Sequence, residues 1–578
     1  MFMLTDSRSK RWRILRRCLF GVAAFLTLIA AFYTEEGWRG QRAWENCKRA
    51  LEAKGVKMNW TDYIPAPVPD NENVFAVPEM RKLFVGEGAT EFASRVSEVT
   101  SYNLLQADSV RVVAAKVEIG LPGATLPSGF AALAYGDPQA RAEARRLMKE
   151  ALGPMVLNPN ATLVIKRRPD EIQPAKIWLQ CQTTPSVKEM EQFLGKNYFL
   201  GGEVEPASGG SYRLTLTALS AAGCLARSAS LEPDFAVMQQ ALKRPHSRLE
   251  GQYLEPVAGL SPIYHLTELA RTLAAMAQCH LLQGQPEEAL RDLSLMHDLC
   301  RIHEVQPGAP YALVTTLSHM VVMATDASVI SDGLALHAWR EPQLVALQEQ
   351  LKGINFVPVM RQVWLGQPAL MSHSFESLTP YQLGLSVLGL DYIPHKTNAW
   401  SECAASVIGN VIPRGWVYQN MVKRAIFYQA LSDCTDSSGQ MIFPNKVEAA
   451  VRVAGSHASP STFLGYRGLL SVSQRVMGTA QTQTRVHEAI IACALERYRL
   501  AHDAYPETLE ALVPQFLTQI PRDVIGGQPL HYRRADGGKF ALYSVGWNGT
   551  DDGGKPGSED DWLWQSYIET VESGANSR

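Results

Sequence analysis

The stretch AQCHLLQGQPEEALRDL, Ala277–Leu293, decides how the largest part of this chain folds. Gly284 ends one helix. Pro286, followed by Glu287 and Glu288, opens the next, because proline and acids suit a first helical turn. Upstream, Leu266, Leu269, Ala270, Leu273, Ala277 and Leu281 recur at the i, i+3, i+4, i+7 spacing of one helix face. Downstream, Ala289, Leu290, Leu293, Met296, His297 and Cys300 form the inner face of the second helix. The pattern predicts a third helix over Tyr311–Ile330 and a fourth over Glu341–Leu351. Antiparallel helices joined by short turns describe a bundle or a solenoid. The expected fold class is mainly α, with a smaller α+β part.

Composition sets the outer bounds. At roughly 100–200 residues per domain, 578 residues amount to several units or one long repetitive one. Apolar residues at 46% and charged residues at 19% describe a folded chain. Lys+Arg 55 against Asp+Glu 57 argues against a nucleic-acid partner, which usually asks for a basic excess. Nine cysteines are too dilute for a disulfide scaffold. Isolated buried thiols are the simplest reading of them.

The N-terminus carries the strongest local signal. Arg8, Lys10, Arg11, Arg13, Arg16 and Arg17 precede Cys18–Thr34, a run without charge that Glu35 and Glu36 close. A bilayer core of ~30 Å takes about 17–25 apolar residues as a helix. Trp12 on one side and Tyr33 and Trp38 on the other suit its two interfaces. The expectation is an uncleaved signal anchor in the inner membrane. Its basic tail stays in the cytoplasm and the bulk of the chain lies in the periplasm. A cleaved signal peptide is the rival, although Ile29/Ala31 and Leu28/Ala30 pair a bulky residue with a small one.

The expected segments are a basic tail (1–17), the transmembrane anchor (18–34), a juxtamembrane helix with a Pro-rich connector (35–79), an α+β region (80–220), a helical region (221–480) and a C-terminal module (481–578). Gly55 should end the juxtamembrane helix, and Pro65, Pro67, Pro69 and Asp70-Asn71 mark the connector as extended. Strands are expected at Val110–Ile119, Ala161–Lys166 and Ser211–Thr217, and helices at Pro138–Leu152 and Ser186–Leu194. Further helices are expected at Gly415–Ser432 and Pro460–Val476. The stretch around Gly284 resembles part of a tetratricopeptide unit, but no second copy follows at a ~34-residue period.

In the last hundred residues an amphipathic helix, Thr484–Ala501, breaks at Tyr505-Pro506. A short helix at Leu509–Val513, a turn at Pro521-Arg-Asp523, and two strands at Gln528–Arg533 and Lys539–Val545 follow. A loop rich in Gly and Asp runs from Gly546 to Asp561. The order Leu495–Tyr498, Tyr505-Pro506, Pro521/Asp523, Tyr532, Tyr543-Ser544-x-Gly546 and the loop from Asn548 resembles the soluble part of type II secretion major pseudopilins. That resemblance implies a helix packed on a small antiparallel sheet. It also implies calcium in the loop, with Asp551, Asp552, Glu559, Asp560 and Asp561 as its carboxylates. Hard oxygen ligands and permissive glycines fit that ion. A solvated acidic loop is the alternative. Unlike a pseudopilin, the chain joins its apolar helix to other segments, Gly21 is followed by Val22, and Leu26 holds the fifth position. The whole layout resembles single-pass envelope proteins of planctomycetes and verrucomicrobia. The shared features are Trp38-Arg39-Gly40, Ile64-Pro-x-Pro-x-Pro, Arg244-Pro245-x-Ser247-Arg248 and the YP-ended helix.

Catalytic signatures are sparse. The sequence holds no G-x-S-x-G, H-E-x-x-H, P-loop or G-x-G-x-x-G. His265/Glu268 and His487-Glu488 read as surface or interface pairs. His297, Cys300 and His303, with Cys279 and His280, read as core packing rather than a soft-metal site. Arg244–Arg248 suits an anion or a charged helix-end loop. The expected function is a membrane-anchored envelope protein that binds protein partners rather than catalysing a reaction. The alternatives are an exported hydrolase and an accessory component of a type II secretion-like system.

Overall fold

A computed structural model describes residues 5–64, 66–100, 228–248, 261–302, 313–388, 399–436, 438–455, 469–535, 539–554 and 561–564, together with residue 225 and five strands between 109 and 219. The helices in chain order are α1 (Thr5–Glu52), α2 (Pro78–Phe84), α3 (Glu87–Thr100), α4 (Glu232–Ala241), α5 (Ser261–Leu282), α6 (Pro286–Cys300), α7 (Leu313–Ala335), α8 (Glu341–Leu351), α9 (Phe356–Ser377), α10 (Pro380–Leu388), α11 (Ala399–Val411), α12 (Arg414–Ser432), α13 (Pro444–Gly455) and α14 (Leu469–His502). The described chain is predominantly helical. Its contacts divide it into two compact units, neither of them contiguous in sequence. One comprises residues 1–65, 307–311 and 357–478; the other comprises 66–306, 312–356 and 479–578.

The first unit begins with α1. The expected anchor and juxtamembrane helix form one continuous helix of 48 residues. The physical reason is that Gly37 and Gly40 each cost a helix only about 1 kcal/mol, too little to break it without proline. Gly55, at φ +83°, turns the chain just beyond the helix end, as expected. From Leu15 onward this helix is long and apolar enough to cross a membrane, with mean hydropathy 1.8 and none of its most apolar window buried. Its C-terminal half packs on α12. Trp44, Leu51, Val417, Met421 and Ala425 share a core with Val56, Met58 and Leu383. Gly40 and Gly415 let the two backbones touch: a Cβ on Gly415 would overlap the Glu36 carbonyl. Trp416 Nε1 and Gln419 Nε2 both donate to Glu36 Oε2 at 3.0 Å.

The second unit holds a five-stranded antiparallel sheet: β1 (Ser109–Val113), β2 (Leu163–Lys166), β3 (Ile177–Leu179), β4 (Leu200–Ala207) and β5 (Ser211–Leu219). β5 pairs with β1, β2 and β4, with Val112 opposite Leu216 and Val204 opposite Leu214. Three of these strands were expected; β3 and β4 were not. The expected helices at Pro138–Leu152 and Ser186–Leu194 lie outside the described residues. The connector was expected to be extended; beyond Pro65 it has no regular structure at Ala66–Pro69 and turns at Asp70–Glu72, where Glu72 N–H donates to the Pro69 carbonyl at 2.9 Å, and it is stitched down. Arg244 Nη1 donates to the carbonyls of Asp70 (2.8 Å) and Asn73 (2.9 Å), and Arg248 Nη1 to that of Ala66. The guanidinium groups at Arg244 and Arg248 therefore hold backbone.

α5 and α6 pair across Gly284, whose φ is +71°, as the Gly-Gln-Pro sequence requires. α7 also meets the length and composition criteria for a membrane span, at mean hydropathy 1.4. It is a core helix: Thr315, Thr316, Asp326 and Asp332 are buried on it, and Gln278 donates to Asp332 at 2.7 Å. α8 has the range expected. α14 is longer than its expected Thr484–Ala501 and ends in the C-terminal module. There Ile491, Leu495, Tyr505, Leu509, Leu512, Leu530 and Leu542 form one core. A three-stranded antiparallel sheet closes it: β6 (His531–Ala535), β7 (Lys539–Ser544) and β8 (Trp562–Leu563). β6 starts three residues later than expected, and the turn at 536–538 lies outside the described residues.

Candidate functional site

An open concave surface lies in the first unit, between α12 and α13. Asp436 builds the turn that brings these helices together. Its Oδ1 accepts from the backbone N–H of Gln440 and Met441, both at 2.7 Å, and its Oδ2 from that of Ser438 at 3.1 Å. Burial pushes this carboxyl up, yet the hydrogen bonds outweigh it and hold it below its ordinary value. Gly439 takes φ +67°, and Phe443 N–H donates to the Cys434 carbonyl at 2.8 Å. α13 then begins at Pro444.

The result is a groove of about 460 Å³. Its floor is Phe427, Ala430, Ala450 and Ala454, and its walls are Ile426 and Val453. Those two walls are 59% and 69% exposed. Lys423 and Lys446 stand at the rim with a single acid, Asp433. Desolvation lowers the Lys423 ammonium from its ordinary value. An apolar trough of small residues with a basic edge suits an amphipathic helix that carries acidic side chains. Sequence reading missed this site because it missed α13. Boundary signals were there, Pro444 at a helix start and Gly455 at its end, but Val447, Ala450 and Ala454 make only a faint apolar face between them.

The second unit concentrates buried carboxylates. Asp326 on α7 is 1% exposed and its Oδ1 has no hydrogen-bond partner; burial pushes it up to about 7. Glu488 on α14 is equally buried, with Oε1 unpartnered, and desolvation raises it well above its ordinary value. Of the pair read as surface or interface residues, Glu488 is buried within the chain. α14 is buried nearly all round, so its polar residues are not a solvent face. His487 accepts at Nε2 from Gln483 (2.9 Å) and donates from Nδ1 to the Arg522 carbonyl (2.8 Å). Desolvation lowers its pKa, so the neutral ring suits both bonds. Asp292 is pushed up to about 8 by burial, and His280 Nε2 lies 3.5 Å from it. Cys279 and Cys300 are buried, as core packing requires. His303 lies outside the described residues.

In the loop predicted to hold calcium, the described carboxylates are bonded to their own chain. Asp561 is 3% exposed and accepts from the N–H of Asp552 (3.1 Å) and Gly554 (2.8 Å). Asp551 accepts from Gly553 N–H (2.9 Å) and the Tyr543 hydroxyl (3.1 Å), with His531 at 3.3 Å. Asp552 accepts from Asn548 at 3.1 Å. Glu559 and Asp560 lie outside the described residues. Among the described residues no three His, Cys, Asp or Glu side chains are gathered to hold a metal.

Fold and surface together define a predominantly helical protein with one N-terminal apolar helix suited to a membrane span or signal anchor. No family model, curated protein or solved structure matches the chain.

Proposed function

We propose that this is a single-pass inner-membrane protein that captures an amphipathic, acid-bearing helix of a partner protein in the envelope. The basic residues before Cys18 favour a cytoplasmic N-terminus and a periplasmic bulk. The groove between α12 and α13 carries the reading. It is apolar, open and basic at its rim. It also belongs to the unit that contains α1, so whatever binds there is held near the bilayer.

A photo-crosslinking residue at Val453 of the full chain, in native membranes, tests the proposal. A discrete intermolecular adduct that disappears with Ile426→Asp is expected. Adducts only within the chain, or an adduct indifferent to Ile426→Asp, would overturn it.

The C-terminal module supports a second reading, a pseudopilin-like interaction module that takes calcium. The order of helix, Tyr505-Pro506 break, Asp523 turn and antiparallel strands favours it. A bound ion would use carboxylate oxygens that the chain's own N–H groups leave over. Calcium then raises the thermal midpoint of the full chain, and Asp552→Asn removes the rise; an unchanged midpoint sinks the idea.

A further inference from the structure

Among the described residues, the most exposed large apolar side chain is Trp400, at 76%. It belongs to α11, whose sequence AWSECAASVIGNV contains one charged residue, Glu402. Trp400, Cys403, Val407 and Val411 are spaced three or four residues apart and all are exposed, so they form one outward stripe. The opposite face is used up. Ala405 is buried, and a Cβ on Gly384 of α10 would overlap its carbonyl. A Cβ on Gly409 would likewise overlap the Pro380 carbonyl. The α10–α11 hairpin therefore packs tightly on itself through small residues and turns a tryptophan and two valines outward.

Its place in the fold says what covers that stripe. The Val411 carbonyl at the end of α11 accepts a hydrogen bond from the Tyr33 hydroxyl on α1. Four residues further on, Gly415 lies against the Glu36 backbone. The C-terminus of α11 is thus fixed at the last turn of the uncharged run Cys18–Thr34. That run spans only about 25 Å at ~1.5 Å per residue, short of a ~30 Å hydrocarbon core. A short span draws the headgroup layer inward around its exit. An amphipathic hairpin with an exposed tryptophan there meets lipid rather than water.

We propose that the α10–α11 hairpin is a second membrane contact, with its Trp400–Val411 stripe lying in the interfacial layer of the leaflet from which α1 emerges. The inference rests on α1 being the span. It adds a surface that fixes the first unit against the bilayer instead of leaving it on a swivelling stalk.

The test uses the full chain in vesicles of phosphatidylcholine and phosphatidylglycerol. Flotation with the vesicles reports on α1; failure to float overturns both the span and the hairpin contact. For floating protein, the fluorescence difference between wild type and Trp400→Phe isolates Trp400. Loss of most of that difference in lipids brominated near the headgroup, with little response to acrylamide, is expected. A difference quenched by acrylamide and indifferent to brominated lipid overturns the hairpin contact and leaves the span standing. A nitroxide on Cys403, in a background with Cys18, Cys47, Cys181 and Cys224 replaced by serine, gives an independent readout. Relaxation by oxygen should exceed relaxation by an aqueous nickel chelate, and the reverse order overturns the proposal.

Discussion

Tyr505 donates its hydroxyl to Glu496 at 2.8 Å, tying the break after α14 back onto the helix nine residues earlier. The same carboxylate accepts from Arg499 Nε (2.9 Å) and Nη2 (2.7 Å) and from His337 Nδ1 (2.9 Å). Burial raises this carboxyl, but the hydrogen bonds from Arg499, His337 and Tyr505 outweigh it, and the net shift is downward. Tyr505→Phe should cost about 2 kcal/mol and Glu496→Gln about 3 kcal/mol of unfolding free energy. A group with a lowered folded pKa contributes its stability above the unfolded value, 4.5 here, and loses it as pH falls through the folded one. The gap between wild type and Glu496→Gln in denaturant melts should therefore be full at pH 7 and shrink below pH 4.5.

Asp326 predicts the opposite pH dependence. Its folded pKa is raised from 3.8 to about 7 by burial alone. The native state thus holds a proton that the unfolded state releases. Stability from this site is fully present below 3.8 and is lost as pH rises through 7. Asp326→Asn should match wild type near pH 4 and exceed it at pH 8, by at most about 4 kcal/mol. Parallel melts of the two proteins from pH 4 to 8 would show diverging curves; parallel curves would refute the assignment.

What the sequence revealed depended on how each element is stabilised. α8 and the α5–α6 turn were legible because large apolar residues recur on one face and Gly284 and Pro286 punctuate them. β4, LGGEVEPA, reads as a loop by composition; β5 pairs with it from Leu200 to Ala207, and that ladder is invisible in a single strand's residues. α11 and α13 escaped because alanine, serine and glycine carry little periodic signal, although they permit the close packing seen at Gly384 and Gly409. Glu488 is hard to place from sequence because α14 is buried on several faces, and periodicity assumes one wet side. The groove between α12 and α13 was hidden for the same reason as α13.

Gly40 and Gly415 should tolerate no side chain. A Cβ on either would overlap backbone of the facing helix, Gly415 for the first and Glu36 for the second. Gly415→Ala should cost about 1–3 kcal/mol, as overpacking does. Gly37 is the internal control: nothing stands within 4 Å of its Cβ position. Gly37→Ala should therefore be neutral or stabilise the helix by up to about 1 kcal/mol. Thermal melts of the detergent-solubilised variants separate the two. Equal midpoints for the alanine variants of Gly37 and Gly415 would mean that α1 and α12 do not meet as described.

Asp561 and Asp551 carry the same charge in the same loop, yet their substitutions should differ. Asp561 is buried and caps the N–H groups of Asp552 and Gly554, beside the point where β8 joins β7. An amide could keep its oxygen where both N–H groups reach Oδ2, but it gives up the negative charge and turns its NH2 toward the Asp552 N–H, 3.3 Å from Oδ1. That should cost about 2 kcal/mol. Asp551 stands in solvent, where Gly553 N–H is the largest influence holding its carboxyl below the ordinary value. Water can replace what Asp551→Asn gives up. Asp561→Asn should therefore lower the melting midpoint clearly and expose the Asp552 and Gly554 amides to hydrogen exchange, while Asp551→Asn should shift it only slightly. The reverse order would show that the loop is held by something other than the Asp561 cap.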